Sequence, residues 1–329
     1  MNSRLRYTRV WVRCLLSIPV LLSPITVACK TIESTDTAEV QTPSKATSPN
    51  LPNRTDLSIA PNGRHYPLMP EEPNEIAELI GEIEAAVLTP QLTEQNLAAL
   101  AHQQQVIYRV LSKNKALSQD VRAQLDPRWH WVFDQHIAAR REFLAMHRGP
   151  ASSTLPAWRI NPPAPADQLL KAYRSASAAT GIDWTVLAAV NLVETGMGRI
   201  DGVSVANAQG PMQFLPTTWS EQGIGNGGNI RDPWDSIHAA ARYLVRRGGL
   251  KDIRRGLWGY NNSDHYGRAV LHYAALLEQE PLTYRSLHQW QIHYASSAGD
   301  LWLHEGYEQQ QPIAVNDYLR GNRHSAPPI

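Results

Sequence analysis

The sequence has 329 residues, enough for one large domain or two small ones, and its formal net charge is +1. Four of the 31 basic residues and none of the 30 acidic ones lie in residues 1–28, so the rest of the chain is slightly acidic. This balance excludes the basic face that a nucleic-acid-binding protein needs, and we expect no nucleic-acid partner.

The N-terminus has the pattern of a signal peptide over residues 1–28. A basic stretch precedes an apolar run that ends at Ala28, and this run is shorter than the roughly 20 residues that a membrane-spanning helix needs. The stretch Thr26-Val-Ala-Cys29 resembles a bacterial lipobox, although Thr26 stands where Leu is usual. We therefore expect Cys29 to be lipidated. The alternatives are a secreted protein with a spare cysteine and an uncleaved anchor.

Residues 29–70 are rich in Thr, Ser, Pro and Asn and poor in large apolar residues. Such a composition cannot bury enough apolar surface to order the chain, so it predicts a lipid-anchored, disordered tether.

Residues 71–149 predict a small helical subdomain. Apolar residues recur at helical spacing in three stretches: Ile76, Leu79, Ile80, Ile83 and Val87; Leu97, Leu100, Ile107 and Leu111; Trp129, Phe133, Ile137 and Leu144. We expect these helices to begin near Asn74, at Thr93 and after Asp126. We expect no chemistry in this subdomain, and its histidines lack a spacing that demands a metal. Residues 150–166 are rich in proline and predict a linker.

The central prediction is a buried helix that carries Glu194 at its end. Asp183 is suited to cap its N-terminus and Gly196 to end it in the left-handed conformation. The residues between them are almost all apolar, so we expect burial on most sides. Burial disfavours the charged form of a carboxyl group and raises its pKa, which suits a general acid near neutral pH. The alternative is a structural or partly exposed glutamate.

Other elements follow on both sides of this helix. Asp167 is expected to cap the preceding helix, and Asp232 the helix that begins Asp232-Pro-Trp-Asp235. Residues 223–228 fit the spacing G-x-G-x-x-G, but no strand precedes them, so we expect a loop and no dinucleotide site. A last helix carries Tyr266 on its apolar face. The alternation of Trp290, Ile292 and Tyr294 indicates a strand, so residues 281–320 predict a C-terminal β-hairpin extension, and residues 321–329 a disordered tail.

Three short motifs stand in order along the chain: Glu194-Thr195, Gly210-Pro-Met-Gln213 and Gly259-Tyr-Asn261. Together they resemble the soluble lytic transglycosylase family, whose fold is similar to goose-type lysozyme, and in particular its membrane-bound murein-cleaving lipoproteins. Pro211 replaces the usual Leu, and Gly259 the usual Ala. The resemblance implies a mainly α-helical catalytic domain, which we place at residues 167–280.

The resemblance also implies a reaction. Glu194 would protonate the oxygen between N-acetylmuramic acid and N-acetylglucosamine, the substrate's acetamido group would stabilise C1, and Glu194 would then act as a base to give 1,6-anhydro ends. Ordinary glycosidases use a second carboxylate. The other acids nearby lie in a loop or at helix ends, which is consistent with a single catalytic carboxylate.

The motifs assign supporting roles. Tyr260 is expected to be catalytic, since its hydroxyl could reach Glu194 or the acetamido group, although it could instead be a core tyrosine. The expected substrate-binding residues are Ser204, Met212, Gln213 and Asn261. A core position for Met212 and a capping role for the amide of Gln213 are the alternatives. We expect no metal and no cofactor.

The sequence thus predicts a periplasmic lipoprotein, anchored to a bacterial membrane at the inner leaflet of the outer membrane, whose partner is the glycan strand of peptidoglycan. Two other functions remain open: a lysozyme-type muramidase of the same fold, which would use water, and a catalytically silent glycan-binding lipoprotein.

Overall fold

The computed structural model describes residues 49–146 and 149–328. The predicted signal peptide, the lipidation site Cys29 and the tether up to residue 48 lie outside the described residues. The described part is mainly helical, as predicted. None of its helices is long and apolar enough to cross a membrane.

Four helices form the N-terminal half: α1 Pro73–Val87, α2 Glu94–Lys113, α3 Lys115–Gln124 and α4 His130–Met146. Their apolar faces share a hydrophobic core that contains the predicted inward-facing residues of α1 and α2. Thr93 caps α2 as predicted, since its hydroxyl accepts the backbone N–H of Asn96. Helix α1 begins at Pro73, near the predicted Asn74, but its N-cap is Glu72, so Asn74 is not the cap. Helix α3 was not predicted.

Residues 49–70 correct the predicted extent of the disordered tether. They contain no helix or strand, yet they pack on the folded domain. Tyr66 is buried with Trp302 in a small apolar cluster, and its hydroxyl donates to the carbonyl of Asp300 at 2.9 Å. Burial of one large aromatic residue, Tyr66, attaches this polar segment to the domain. The composition of the segment alone does not reveal such a contact.

The predicted linker at residues 150–166 is also structured. It forms strands β1 (Thr154–Leu155) and β2 (Arg159–Ile160). Strand β2 pairs antiparallel with β3 (Ile200–Asp201), just after the Glu194 helix. Apolar residues of the two linker strands are buried in a core shared with the C-terminal hairpin. The proline-rich segment 150–166 is therefore a packed connection and not a loose spacer.

The predicted catalytic domain is built from six helices: α5 Ala166–Thr180, α6 Trp184–Thr195, α7 Pro216–Trp219, α8 Pro233–Arg246, α9 Ile253–Asn261 and α10 Asp264–Gln279. Helix α10 packs against both α6 and α4 and so joins the two halves of the molecule. Asp232 caps α8 as predicted. Helix α5 has Pro165 at its N-cap, so the predicted cap at Asp167 is wrong. Residues 223–228 form a loop without a preceding strand, as predicted.

The C-terminal segment contains the predicted hairpin. Helix α11 (Thr283–Gln289), which was not predicted, leads into β4 (Ile292–Ser296) and β5 (Gly299–Leu303), which pair antiparallel. Strand β6 (Ile313–Ala314) pairs with β1, and α12 (Val315–Leu319) follows. The prediction of a disordered tail is wrong for residues 321–328, because Ser325 is fully buried beside the hydroxyl of Tyr318.

Candidate active site

Helix α6 delivers Glu194 to the site. Its N-cap is Asp183, whose Oδ1 accepts the backbone N–H of Thr185 at 2.9 Å, and Gly196 ends it with a positive φ of 60°. Both predicted caps are therefore confirmed. Nearly every side chain between them is buried, which explains why the helix can fix the position of a polar group at its end.

Glu194 holds its proton unusually well. Burial raises the pKa of its carboxyl group from 4.5 to about 7, while a hydrogen bond from Tyr266 opposes part of that rise. The hydroxyl of Tyr266 donates to Oε1 of Glu194 at 2.7 Å. A carboxyl group with this pKa can both give and take a proton near neutral pH, as acid–base catalysis requires.

Tyr266 is the functional residue that sequence reasoning missed. It was assigned only to the apolar face of α10, and it is indeed buried there. Its ring stacks nearly parallel to that of Tyr260, with centroids 6.1 Å apart. A buried tyrosine needs a partner for its hydroxyl, so the tyrosine on the apolar face of α10 indicated a buried hydrogen bond, but the sequence does not show that the partner is Glu194.

Tyr260 lies next to this pair, but its hydroxyl points elsewhere. It donates to the backbone carbonyl of Met212 at 2.7 Å. In this structure Tyr260 therefore holds the Gly210–Gln213 turn against α9, and the bond to Glu194 that was expected of it is made by Tyr266. Its catalytic role stays a prediction.

The Gly210–Gln213 turn packs directly on the end of α6. The hydroxyl of Thr195 donates to the carbonyl of Pro211 at 2.7 Å and accepts the backbone N–H of Gly198 at 3.0 Å. Gly210 has a φ of +74°, and a Cβ there would lie only 1.9 Å from the carbonyl oxygen of Ile230. Only glycine fits this position, which explains in physical terms why the Gly210–Gln213 motif begins with glycine.

Two of the predicted substrate-binding residues of this region form hydrogen bonds with the backbone of their own loops. The side-chain amide of Gln213 donates to the carbonyl of Gly210 at 3.0 Å, in line with the capping alternative. The hydroxyl of Ser204 accepts the backbone N–H of Ala208 at 3.0 Å. Met212 is fully buried in the main hydrophobic core. This burial is in line with the core alternative for Met212, and its substrate-binding role stays a prediction.

The two departures from the family pattern both have structural consequences. Pro211 is buried, and its carbonyl is the acceptor for Thr195 described above. Gly259 lies against the side chain of Arg247, where an added Cβ would come within 2.9 Å of two carbon atoms. The guanidinium group of Arg247 in turn donates to the hydroxyl of Tyr243 at 2.7 Å. A larger residue at 259 would displace this packed arginine.

A cleft of about 800 Å³ opens at the end of α6. Glu194, Tyr266 and Asn261 line it, which brings together two predicted site residues and the missed tyrosine. Ser204, Gln213 and Tyr260 are not among its lining residues. The opposite walls come from α2 and α4, from the connection at residues 149–152, and from hairpin strand β4.

Two aromatic side chains of the cleft are suited to a sugar face. Trp158, in the connection between β1 and β2, and Tyr294, on β4, both line the cleft and meet edge to face with centroids 5.9 Å apart. Both are partly exposed. Such amphipathic rings combine apolar area with a polar edge, and neither residue was assigned to the site from the sequence.

Glu194 is the only carboxylate among the described residues that line the cleft. The other acids considered from the sequence are engaged elsewhere. Asp201 pairs with Arg159 and Arg231. The remaining three have partners of their own: Glu221 pairs with an arginine of α8, Asp232 caps α8, and Asp235 accepts a backbone N–H. No group of three or more His, Cys, Asp or Glu residues that could hold a metal occurs in the described ranges.

A lone carboxyl group that keeps its proton, delivered by a buried helix to a cleft in a helical domain, defines a lysozyme-like class of glycan-cleaving enzyme. The comparison with protein families agrees. The transglycosylase SLT domain matches residues 171–274, a range that contains all three sequence motifs. Residues 171–274 therefore carry a transglycosylase SLT domain, which is lysozyme-like and supports a lytic-transglycosylase type of enzyme that acts on peptidoglycan. No curated protein and no solved structure matches the chain.

Proposed function

We propose that the protein cleaves the β-1,4 bond between N-acetylmuramic acid and N-acetylglucosamine without water, and that Glu194 is its general acid and then its base. The single observation that carries this proposal is that Glu194, with a pKa raised to about 7, is the one carboxylate among the described residues of the cleft. A hydrolase of the usual two-carboxylate kind would need a second acid there.

The reaction balances with one carboxyl group. Protonated Glu194 gives its proton to the glycosidic oxygen as the bond from that oxygen to C1 breaks. The acetamido oxygen of the muramic acid stabilises C1. The C6 hydroxyl then attacks C1, and its proton passes to the Glu194 carboxylate. A 1,6-anhydro ring forms, the carboxyl group regains its starting state, and no water is consumed.

The residues around the cleft have different roles in this proposal. Tyr266 orients the carboxyl group of Glu194 through its hydrogen bond. Asn261 is exposed at the cleft, so its amide is available to a sugar hydroxyl or acetamido group. Trp158 and Tyr294 offer the sugar faces a stacking surface.

A pair of matched variants tests the role of Glu194. Glu84 is also a buried glutamate whose pKa is raised to about 7, and it also accepts a tyrosine hydroxyl, from Tyr108 at 2.7 Å. Glu84 does not line the cleft. We expect E194Q to lower the release of muropeptides from purified peptidoglycan at least a hundredfold, and E84Q to retain it. An E194Q protein as active as the wild type would contradict the proposal.

The mass of the products separates this function from the alternatives. Anhydro ends are lighter than reducing ends by one water, and we expect only anhydro ends. Reducing muramic ends would identify a muramidase. Binding to peptidoglycan without any release would identify a silent glycan-binding protein.

We also propose that the chain is held in the periplasm by a lipid on Cys29, at the inner leaflet of the outer membrane. The basic stretch, the apolar run and the lipobox-like Thr26–Cys29 segment support this. Metabolic labelling with a fatty acid, followed by membrane fractionation, should place label and protein together. The C29A variant should lose both the label and the membrane association, and a labelled C29A protein would contradict the proposal.

A further inference from the structure

Arg140 is an unpaired cation in the wall of the cleft. It lies on α4, outside the matched domain, and only 8% of its surface is exposed. Its Nε is buried without a hydrogen-bond partner. Among the described residues its guanidinium group makes no ion pair, and its clearest contact is with the ring of Phe143, 4.9 Å from the centroid.

The carboxylate whose negative charge acts on Arg140 is already paired with another arginine. Asp300 on β5 accepts two hydrogen bonds from Arg109, at 2.6 Å from Nε and 2.5 Å from Nη2. Burial and the neighbouring Arg109 lower the pKa of Arg140 to about 9, so it still carries its charge at neutral pH. Among the described residues, no carboxylate forms an ion pair with this positive charge in the cleft wall.

His136 provides a second unsatisfied group beside it. It lies one helical turn before Arg140, so the two side chains share a face of α4. Both line the cleft. His136 is 1% exposed and stacks on Tyr108 at 4.2 Å, yet neither ring nitrogen has a hydrogen-bond partner. Burial lowers its pKa to about 3, so it is neutral and offers one N–H donor.

These groups fit an anion better than they fit a neutral sugar. A buried charge without a partner is costly, and a bound counter-charge removes that cost. The planar guanidinium fork matches a carboxylate with two parallel hydrogen bonds. Glu194 does not meet this need, because its carboxyl group is hydrogen-bonded to Tyr266 and keeps its proton up to a pH of about 7.

We propose that Arg140 and His136 form a carboxylate-binding subsite of the cleft, which takes a free carboxylate carried by the glycan strand. This inference rests on the proposed function. Peptidoglycan offers two sources of such a group: the stem peptide, and the lactyl group of muramic acid where the peptide has been removed. An oligomer of N-acetylglucosamine has neither.

The test compares three ligands on the full chain carrying E194Q, which prevents turnover. They are a peptide-bearing glycan, a peptide-free glycan with lactyl carboxylates, and a neutral N-acetylglucosamine oligomer of equal length. Titration calorimetry gives each Kd. We expect an acidic glycan to bind more tightly than the neutral oligomer. Whichever acidic ligand shows the preference identifies the source of the carboxylate.

Adding R140M should lower the ratio of acidic to neutral affinity about tenfold to a hundredfold, the range for hydrogen bonds to a charged group. R140K keeps the charge but not the fork and should restore part of the ratio. R141M is the matched control, because Arg141 is the next residue of α4, faces the carbonyl of Ser112 and does not line the cleft. It makes the same change in net charge and should leave the ratio intact.

Three results would overturn the subsite, and they differ in whether they also contradict the proposed function. Equal affinities for acidic and neutral glycans, or an unchanged ratio in R140M, would remove the subsite and leave the proposed function standing. Failure of the E194Q chain to bind any of the three glycans would contradict both proposals. A thermal unfolding curve of R140M like that of its parent shows that a changed ratio is not due to misfolding.

Discussion

The hydroxyl of Tyr266 donates a 2.7 Å hydrogen bond to Oε1 of Glu194, although the two residues are 72 positions apart in the sequence. Burial raises the pKa of this carboxyl group to about 7 and the hydrogen bond lowers it, so the two effects together set the pH at which Glu194 loses its proton. Helices α6 and α10 therefore determine the chemistry jointly, one through position and the other through the hydrogen bond.

Replacing Tyr266 by Phe should move the pH dependence of the reaction. Since Glu194 must begin protonated, activity falls as the pH rises through its pKa. Without the donor that favours the charged form, this pKa rises, so the alkaline limb of the kcat profile should shift upward. Turnover at the optimum should fall about tenfold, because the carboxyl group loses the bond that orients it.

The control for this experiment is Y273F. Tyr273 also belongs to α10 and lines the cleft, but the hydrogen bond to Glu194 comes from Tyr266. The alkaline limb should stay in place in Y273F. An unchanged limb in Y266F would mean that the hydrogen bond does not tune Glu194.

The stability of the E194Q variant should depend on pH in a defined direction. The folded-state pKa of Glu194, about 7, lies above its ordinary value of 4.5, so the native state binds the proton more tightly than the unfolded state. The wild type therefore loses stability as the pH rises from about 4.5 through 7. Glutamine does not ionise and avoids this loss.

Urea unfolding of wild type and E194Q at several pH values measures this effect. The two proteins should be nearly equal at pH 4. At pH 8, E194Q should be more stable by about 3 kcal/mol, the order that a pKa shift from 4.5 to about 7 implies. A difference that is the same at both pH values would show that Glu194 is not held in its neutral form.

The ion pair between Arg109 and Asp300 should be important for attaching the hairpin to α2. Both side chains are at least 86% buried, so D300N would leave a buried arginine without its counter-charge. We expect a loss of about 3 kcal/mol in the free energy of unfolding. D317N is the matched control, because its pair with Arg320 is exposed and should contribute less than about 0.5 kcal/mol.

The pH dependence of D300N offers a second readout. Arg109 and His293 hold the pKa of Asp300 well below its usual range, so the pair contributes stability above pH 4 and loses it only in stronger acid. The difference between wild type and D300N should therefore be constant from pH 5 to pH 8. A difference below 1 kcal/mol over that range would contradict the assigned importance of the pair.

Substituting Gly210 by Ala should disrupt the turn that rests on α6. The new Cβ would lie 1.9 Å from a backbone oxygen, and backbone cannot move aside as a side chain can. We expect a loss of more than about 3 kcal/mol and a proportionate loss of activity. G227A separates the two causes. The φ of Gly227, +76°, is nearly the same as that of Gly210, but nothing lies within 4 Å of an added Cβ, so only the backbone strain of about 1 kcal/mol remains. Equal losses in both variants would show that the clash is not the cause.

Local signals were sufficient for the elements on which the site depends. Asp183, the apolar run and Gly196 specify α6 because a cap, a face and a stop all lie within one short segment. The alternation around Tyr294 specifies the hairpin in the same way. Both were predicted from the sequence and are present in the structure.

The cleft itself could not be read from local patterns, because its walls come from distant segments. The N-terminal subdomain was expected to hold no chemistry, yet Arg140 and His136 on α4 line the cleft. Nothing in the spacing of α4 shows that their partners are missing. The bond from Tyr266 to Glu194 was missed for the same reason, since a helix pattern shows which face is buried but not which atom it meets. Helix α3 was missed because only Val121 and Ser118 of its ten residues are buried.

The central claim is that Glu194 cleaves the glycan without water, and digestion in water labelled with heavy oxygen tests it most directly. Purified peptidoglycan is incubated with the full chain, and the muropeptides are analysed by mass spectrometry. The account predicts 1,6-anhydro ends that carry no heavy oxygen, and no such products from E194Q. New reducing muramic ends that carry heavy oxygen at C1, in excess of those in an enzyme-free incubation in the same water, would contradict it, because attack of water on the sugar places the water oxygen at C1.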